Sequence, residues 1–196
     1  MVLRGREFRV QQISASRPRG KYRPPATGFR WAGPRLEQAL NQATIQSPLI
    51  RRILSILFLP LVWRLGMKIN YSLDDFYVEV PHSKMNRNSY GTVGGAALLA
   101  NLELAAGSYL LMRTDGGFRI VCRNVSYRFA LPSTNGLHLE VAPLTDDLDE
   151  AIAAGKPFNT DLKVNVYARG EIPGERGRRI GRGEIRFHLW PVDAGA

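Results

Sequence analysis

The chain is poor in the residues that build metal sites and disulfides. Cys122 is its only cysteine, which excludes a disulfide within one chain, and the three histidines are scattered without metal-ligand spacing. Neither a metal nor a cofactor is expected, and the lone thiol suits a reducing, cytoplasmic setting. Long apolar runs are also scarce near the N-terminus, so no secretory signal is expected. The run Ile53–Trp63 has eleven residues, is interrupted by Pro60 and is flanked by Arg51, Arg52 and Arg64. A spanning helix needs about 20 residues. The run reads as a helix docked on a core, with contact to a membrane surface as the alternative.

Acidic residues are almost missing from the first 36 positions. Nine basic side chains (Arg4, Arg6, Arg9, Arg17, Arg19, Lys21, Arg23, Arg30 and Arg35) face one acid, Glu7, so this stretch carries +8 of the chain's net +10. The other residues are nearly neutral, and no basic face is expected on the folded part. The stretch is rich in Pro, Gly and Ser, which bury too little surface to offset ordering entropy. Residues 1–36 therefore read as a solvated basic arm with general affinity for polyanions or anionic membrane surfaces. Basic and aromatic residues do not interleave as in RNA-binding motifs, so no specific nucleic acid is expected.

Hydrophobic residues make up 44% of the chain, enough for one core, and residues 37–196 read as a single domain. N-terminal helices are expected over 37–66: Leu36, Ala39, Leu40 and Ala43 share one face, and Ser47-Pro48 is a good helix start. A strand region over 68–80 follows, its phase broken at Asp74-Asp75. After a polar loop, the stretch from Gly91 to Met112 is strong in Ala and Leu and apolar nearly all round. A helix of that kind is expected to be buried on every side. Its length would also suit a membrane, but Glu103, Asn101 and the glycines within it favour a core helix.

Strands resume after Asp115-Gly116-Gly117. Phe118, Ile120 and Cys122 share a face, and a one-residue shift at Arg123-Asn124 returns Val125, Tyr127 and Phe129 to it, as a β-bulge would. Leu137, Leu139 and Val141 form the next strand, and Thr145–Ala154 reads as a short acidic helix or loop. Phe158 to Arg169 alternates apolar and polar residues strictly. A Gly- and Arg-rich hairpin, Pro173–Arg179, leads to a last strand with Ile185, Phe187 and Leu189 on one face. The whole is an α+β pattern: a long central helix over 91–112, wrapped by an antiparallel sheet of five or six strands.

One residue in the central helix carries chemistry. Glu103 is the only charged side chain between Asn88 and Met112. A carboxylate among apolar neighbours must be paired, neutralised or used, and desolvation raises its pKa towards that of a general base. Gly91, Gly94 and Gly95 stand at the helix start, where free amides and the dipole favour developing negative charge. Each of these features also has a plainer reading, as a satisfied core acid and as tight backbone packing.

The segment RNSYGTVGGAALLANLELAAG, Arg87 to Gly107, resembles the central-helix signature of the hotdog thioesterases of the phenylacetate-pathway type. It is closer still to an uncharacterised hotdog branch with the pattern RNHxGTxHAxALxNLxELAxG, and the strand order agrees through residue 190. The resemblance implies the hotdog fold and an acyl-CoA thioesterase-like hydrolase. Glu103 falls on its catalytic acid, Asn88 on the Asn that holds the thioester or the attacking water, and the Gly95 amide on the oxyanion donor. Tyr90, Gly91 and Gly94 fall beside the substrate. The family His is replaced here by Gly94, and Asn101 is shifted by one residue from the branch's helix Asn.

Two functions remain open: hydrolysis of acyl-CoA or another acyl thioester, and non-catalytic binding of acyl-CoA or fatty acyl ligands. The resemblance also implies active sites shared between subunits, hence a homodimer, with a tetramer as the alternative assembly. A third reading has the basic arm tether an inert domain. Deleting residues 1–36 is expected to leave the melting temperature and thioester turnover nearly unchanged while weakening salt-sensitive adsorption to anionic surfaces. A large loss of stability on deletion would show that the arm packs on the core.

Overall fold

The computed structural model describes residues 64–72 and 74–192. The basic arm, the helices expected over 37–66 up to position 63, and Ile53–Trp63 lie outside the described residues. Leu65, just ahead of the sheet, is buried.

Six antiparallel strands and one long helix account for most of the structure. They run β1 (Lys68–Asn70), β2 (Tyr77–Val80), α1 (Gly95–Arg113), β3 (Phe118–Phe129), β4 (Leu137–Pro143), a short helix α2 (Leu148–Ala153), β5 (Phe158–Arg169) and β6 (Arg176–Pro191). Their order across the sheet is β1-β2-β4-β5-β6-β3. The strand region expected over 68–80 is two strands, not one. Asp74-Asp75 lies between them, and they pair antiparallel with Ile69 opposite Val78.

The period-two pattern puts one apolar row of each strand on the helix side. Val78, Leu139 and Val166 are successive cross-strand partners, as are Leu162, Ile185 and Val125. From the helix, Leu98, Leu102, Ala105, Ala106, Tyr109 and Leu110 meet these rows. Close approach depends on glycine in β6. A Cβ on Gly183 would stand 3.3 Å from Leu102 Cδ1, and one on Gly181 would stand 2.7 Å from the carbonyl oxygen of Arg128. The bulge expected at Arg123-Asn124 is found between Cys122 and Asn124.

Two expectations for the helix need correction. It begins at Gly95 rather than Gly91, because Gly91 has a φ of +74° and Arg87 forms an isolated bridge to Val93. It is also not buried on every side. The buried residues form one stripe at helical spacing, while Ala96, Leu99 and Glu103 on the opposite side are exposed. An apolar circumference shows no polar stripe from which the uncovered side could be read, and a single sheet covers only one side.

The loop before the helix is held by a buried polar clamp. Asn86, fully buried, donates through Nδ2 to the carbonyl oxygens of Leu65 (2.8 Å) and Pro81 (2.9 Å). Its Oδ1 accepts from Nδ2 of the equally buried Asn101 at 3.2 Å, and its backbone carbonyl accepts from Gly94 N–H at 2.7 Å. The side chain thus joins the chain before the sheet, the loop and the helix at Asn101, while the backbone of the same residue holds the helix start. Removing it strands several buried donors and acceptors, which costs about 1–3 kcal/mol per group left unsatisfied. Asn86→Ala is expected to lower the unfolding free energy by at least that amount in urea titrations. A change below about 0.5 kcal/mol, the usual range for neutral surface substitutions, would show that the clamp carries no such role.

Candidate active site at the helix start

The first turn of α1 is open to a ligand. Gly94 caps it with extended backbone (φ −71°, ψ 139°), no side chain caps it, and its first turn holds no acidic residue. Gly94 N–H is taken by Asn86, and Leu98 N–H bonds the Gly94 carbonyl at 2.9 Å. The Gly95 amide has no acceptor among the described residues, so the positive end of the helix dipole is uncompensated there.

A cleft of about 320 Å³ lies against this turn, lined by Asn88, Thr92, Gly95, Leu98, Phe129 and Ile180 among others. The fold therefore brings Asn88 and Gly95 together. Phe129, 61% exposed, closes one side; its ring stands 3.4 Å from where a Gly95 Cβ would be. Any side chain at position 95 would fill the space beside the free amide.

Asn88 is exposed and already braces its own loop. Its Oδ1 accepts from Tyr90 N–H at 3.0 Å and Thr92 N–H at 3.2 Å, while Nδ2 lies 3.0 Å from Thr92 Oγ1. One of the two amide hydrogens is left for a ligand in the cleft. Tyr90 is 89% exposed and, like Gly91, does not line the cleft. Both serve the site through the backbone: Tyr90 through Asn88, Gly91 through its carbonyl contact with His82 Nε2 at 2.9 Å. Gly94 lies beside Asn88, and a Cβ there would meet only ordinary contacts at 3.7–3.8 Å.

Glu103 does not reach the cleft. It lies eight residues beyond Gly95, about 12 Å along the helix axis, and is exposed on the uncovered side. The desolvation that a buried catalytic acid needs is therefore not supplied by the described residues, which corrects the expectation of a carboxylate enclosed by the core. Its charge is felt by Cys122 on β3. Burial pushes that thiol up from its ordinary value, and the Glu103 carboxylate raises it further. The phenol of Tyr127, edge-on to Phe129 at 4.5 Å, is pushed up to about 12 by burial and stays neutral near pH 7. Among the described residues no group of three or more His, Cys, Asp or Glu side chains could hold a metal ion.

Asn86 and Phe129 are site-building residues that the sequence left unremarked in that role. Asn86 is one of two Asn in a polar loop, and nothing in the pattern separates the buried one from the exposed Asn88. Phe129 was assigned to the correct face, but its place over Gly95 depends on the pairing of β3 with β6.

By sequence, the chain matches no family profile and no curated protein at a significant level. Its architecture recurs in solved structures. A thioesterase family protein from Silicibacter pomeroyi superposes with a TM-score of 0.55 at 14% identity, over 77% of this chain and 98% of that one. A thioesterase from Haemophilus influenzae gives 0.54 at 11% identity, over 69% and 85%. A protein of unknown function from Chlorobaculum tepidum gives 0.60 at 13% identity, over 79% and 96%. The chain has the hotdog fold, a six-stranded antiparallel sheet on one central helix, and shares it with proteins described as thioesterases.

Proposed function

We propose that the protein hydrolyses acyl-CoA thioesters at a site built by two copies of the chain. The observation that carries this reading is the cleft in which the unbonded Gly95 amide and Asn88 meet, with Glu103 held away from it on an uncovered helix face. Two copies related by a two-fold axis can pack that face, Ala96, Leu99 and Glu103, against its equivalent with the helices antiparallel. Each Glu103 then approaches the helix start of the other copy and is desolvated there. The long β3 supports such pairing. It is a twelve-residue strand at the edge of the sheet, with Ile120, Cys122, Val125 and Tyr127 only half-buried on the helix side.

In this assembly the thioester carbonyl oxygen faces Gly95 N–H, and the spare Asn88 amide hydrogen orients the acyl group or the water. Glu103 of the second copy takes a proton from water, and the oxygen adds to the carbonyl carbon. The negative charge gathers on the carbonyl oxygen, opposite the helix start. Collapse breaks the carbon–sulfur bond, and the thiolate recovers the proton from Glu103. Direct attack of the carboxylate on the carbonyl, followed by hydrolysis of the anhydride, uses the same groups.

One observation favours the non-catalytic alternative, a protein that binds acyl-CoA or fatty acyl chains without turnover. Position 94 carries no side chain, so the His that the resemblance implies beside Asn88 is missing, and with it a polar contact to substrate or water. Acyl-CoA binding without hydrolysis, unaffected at Glu103, is the signature of that alternative.

Glu103→Gln keeps the volume and removes the base. It is expected to lower turnover by about 10²- to 10⁴-fold, the contribution of a positioned general base, with the circular dichroism spectrum unchanged. Full activity in the folded variant removes the catalytic assignment. The shared site has its own test. Mixing Glu103→Gln with Asn88→Ala chains is expected to restore about a quarter of wild-type turnover through mixed dimers, each holding one intact site. No recovery, together with a monomer in light scattering, would sink the two-copy mechanism.

A further inference from the structure

A second, larger cleft of about 660 Å³ opens beside the first, with Ser126, Arg128, Ala130, Arg179, Arg182 and Glu184 among its lining. Ala130 also lines the helix-start cleft, so the two adjoin across one short stretch of backbone. That stretch is braced by a bulge in β6. Tyr167 pairs with Arg179 and Val166 with Gly181, leaving Ile180 as the extra residue. Ile180 turns into the core at 3% exposure, and its carbonyl accepts from Ala130 N–H (3.0 Å) and Leu131 N–H (3.1 Å). The bulge thus sends Ile180 to the helix-start cleft and leaves Arg179 and Arg182 for the second.

The charge in this cleft is uncompensated. Three guanidinium groups face one carboxylate, and Glu184 is engaged by Arg182 at 2.7 Å. Arg128 and Arg179 are exposed and have no ion pair among the described residues. The Nε of Arg182 is buried without an acceptor. Arg128 and Arg182 also stand directly opposite each other in the β3–β6 pairing, an arrangement of like charges that costs stability. An anion with several acceptor oxygens between them removes that repulsion, and the planar donor forks of arginine match phosphate geometry.

We infer that Arg128, Arg179 and Arg182 bind the phosphate groups at the nucleotide end of coenzyme A, while the thioester end passes Ala130 into the helix-start cleft. The coenzyme assignment rests on the thioester reading above; the phosphate site rests on the arginines. A carrier protein presenting a single phosphodiester is the competing source of such a thioester, and it would leave most of this positive cleft unfilled.

Adenosine 3′,5′-bisphosphate, which has no thioester, separates the two questions. Calorimetry on the full chain is expected to show binding that weakens with added salt. The double variant Arg128→Gln/Arg179→Gln, altered at exposed positions, is expected to bind about tenfold to a hundredfold more weakly, as loss of charge-assisted hydrogen bonds predicts. The same variant should raise KM for acyl-CoA and leave hydrolysis of the short N-acetylcysteamine thioester unchanged. Nucleotide binding that depends on the arginines, with no hydrolysis of any thioester, supports this cleft and defeats the enzymatic reading. Hydrolysis without nucleotide binding, or equal binding by the double variant, overturns the cleft assignment and turns the search to acyl carrier proteins.

Discussion

Everything in this structure depends on one contact, the laying of a nineteen-residue helix across one face of an antiparallel sheet. The stripe from Leu98 to Leu110 and the strand rows beneath it form the core of the described residues. The contact is close because β6 offers glycines where the helix and β3 need room. It is also one-sided. Among the described residues, nothing covers the half of the helix that carries Glu103 or the edge of the sheet that ends in β3. In the proposed two-copy site, a carboxylate exposed in the single chain would be desolvated by the second copy, and the proposed chemistry at Gly95 rests on that difference.

The site itself is mostly backbone. Its most directly placed donor is an amide, the loop that shapes it is tied by Asn88 to the amides of Tyr90 and Thr92, and Asn86 fixes the helix start by accepting from Gly94. Such a site tolerates changes in exposed side chains and fails when a turn or cap shifts. That explains why Tyr90, fully out in solvent, still belongs to the architecture of the site although it lines no cleft.

Much of this was legible in the sequence, for definite reasons. The strict alternation from Phe158 to Arg169 is β5, because side chains of a half-covered strand must alternate. The break at Arg123-Asn124 marked the bulge because one extra residue reverses every later side chain. The helix face was not legible: Ala and Leu on all sides give no phase, and Glu103 read as enclosed when it is exposed. Nor was the helix start, since Gly91 and Gly95 are equally plausible openings until the Arg87–Val93 bridge places the turn. The arginine cleft joins strands about fifty residues apart, and only the β3–β6 register brings Arg128 opposite Arg182.

The ridge between the two clefts has a consequence for how such a protein can change over generations. Ile180 looks into one cleft while Arg179 and Arg182 look into the other, and Gly181 holds the tyrosine ring and the Arg128 carbonyl at distances no larger residue permits. Insertions, deletions or bulky replacements here alter both clefts at once. On the proposed function, divergence in acyl preference is therefore steered towards positions such as Phe129 that line only the helix-start cleft, and divergence in the carrier towards the exposed arginines. The bulge itself is left as the part of the wall least free to drift.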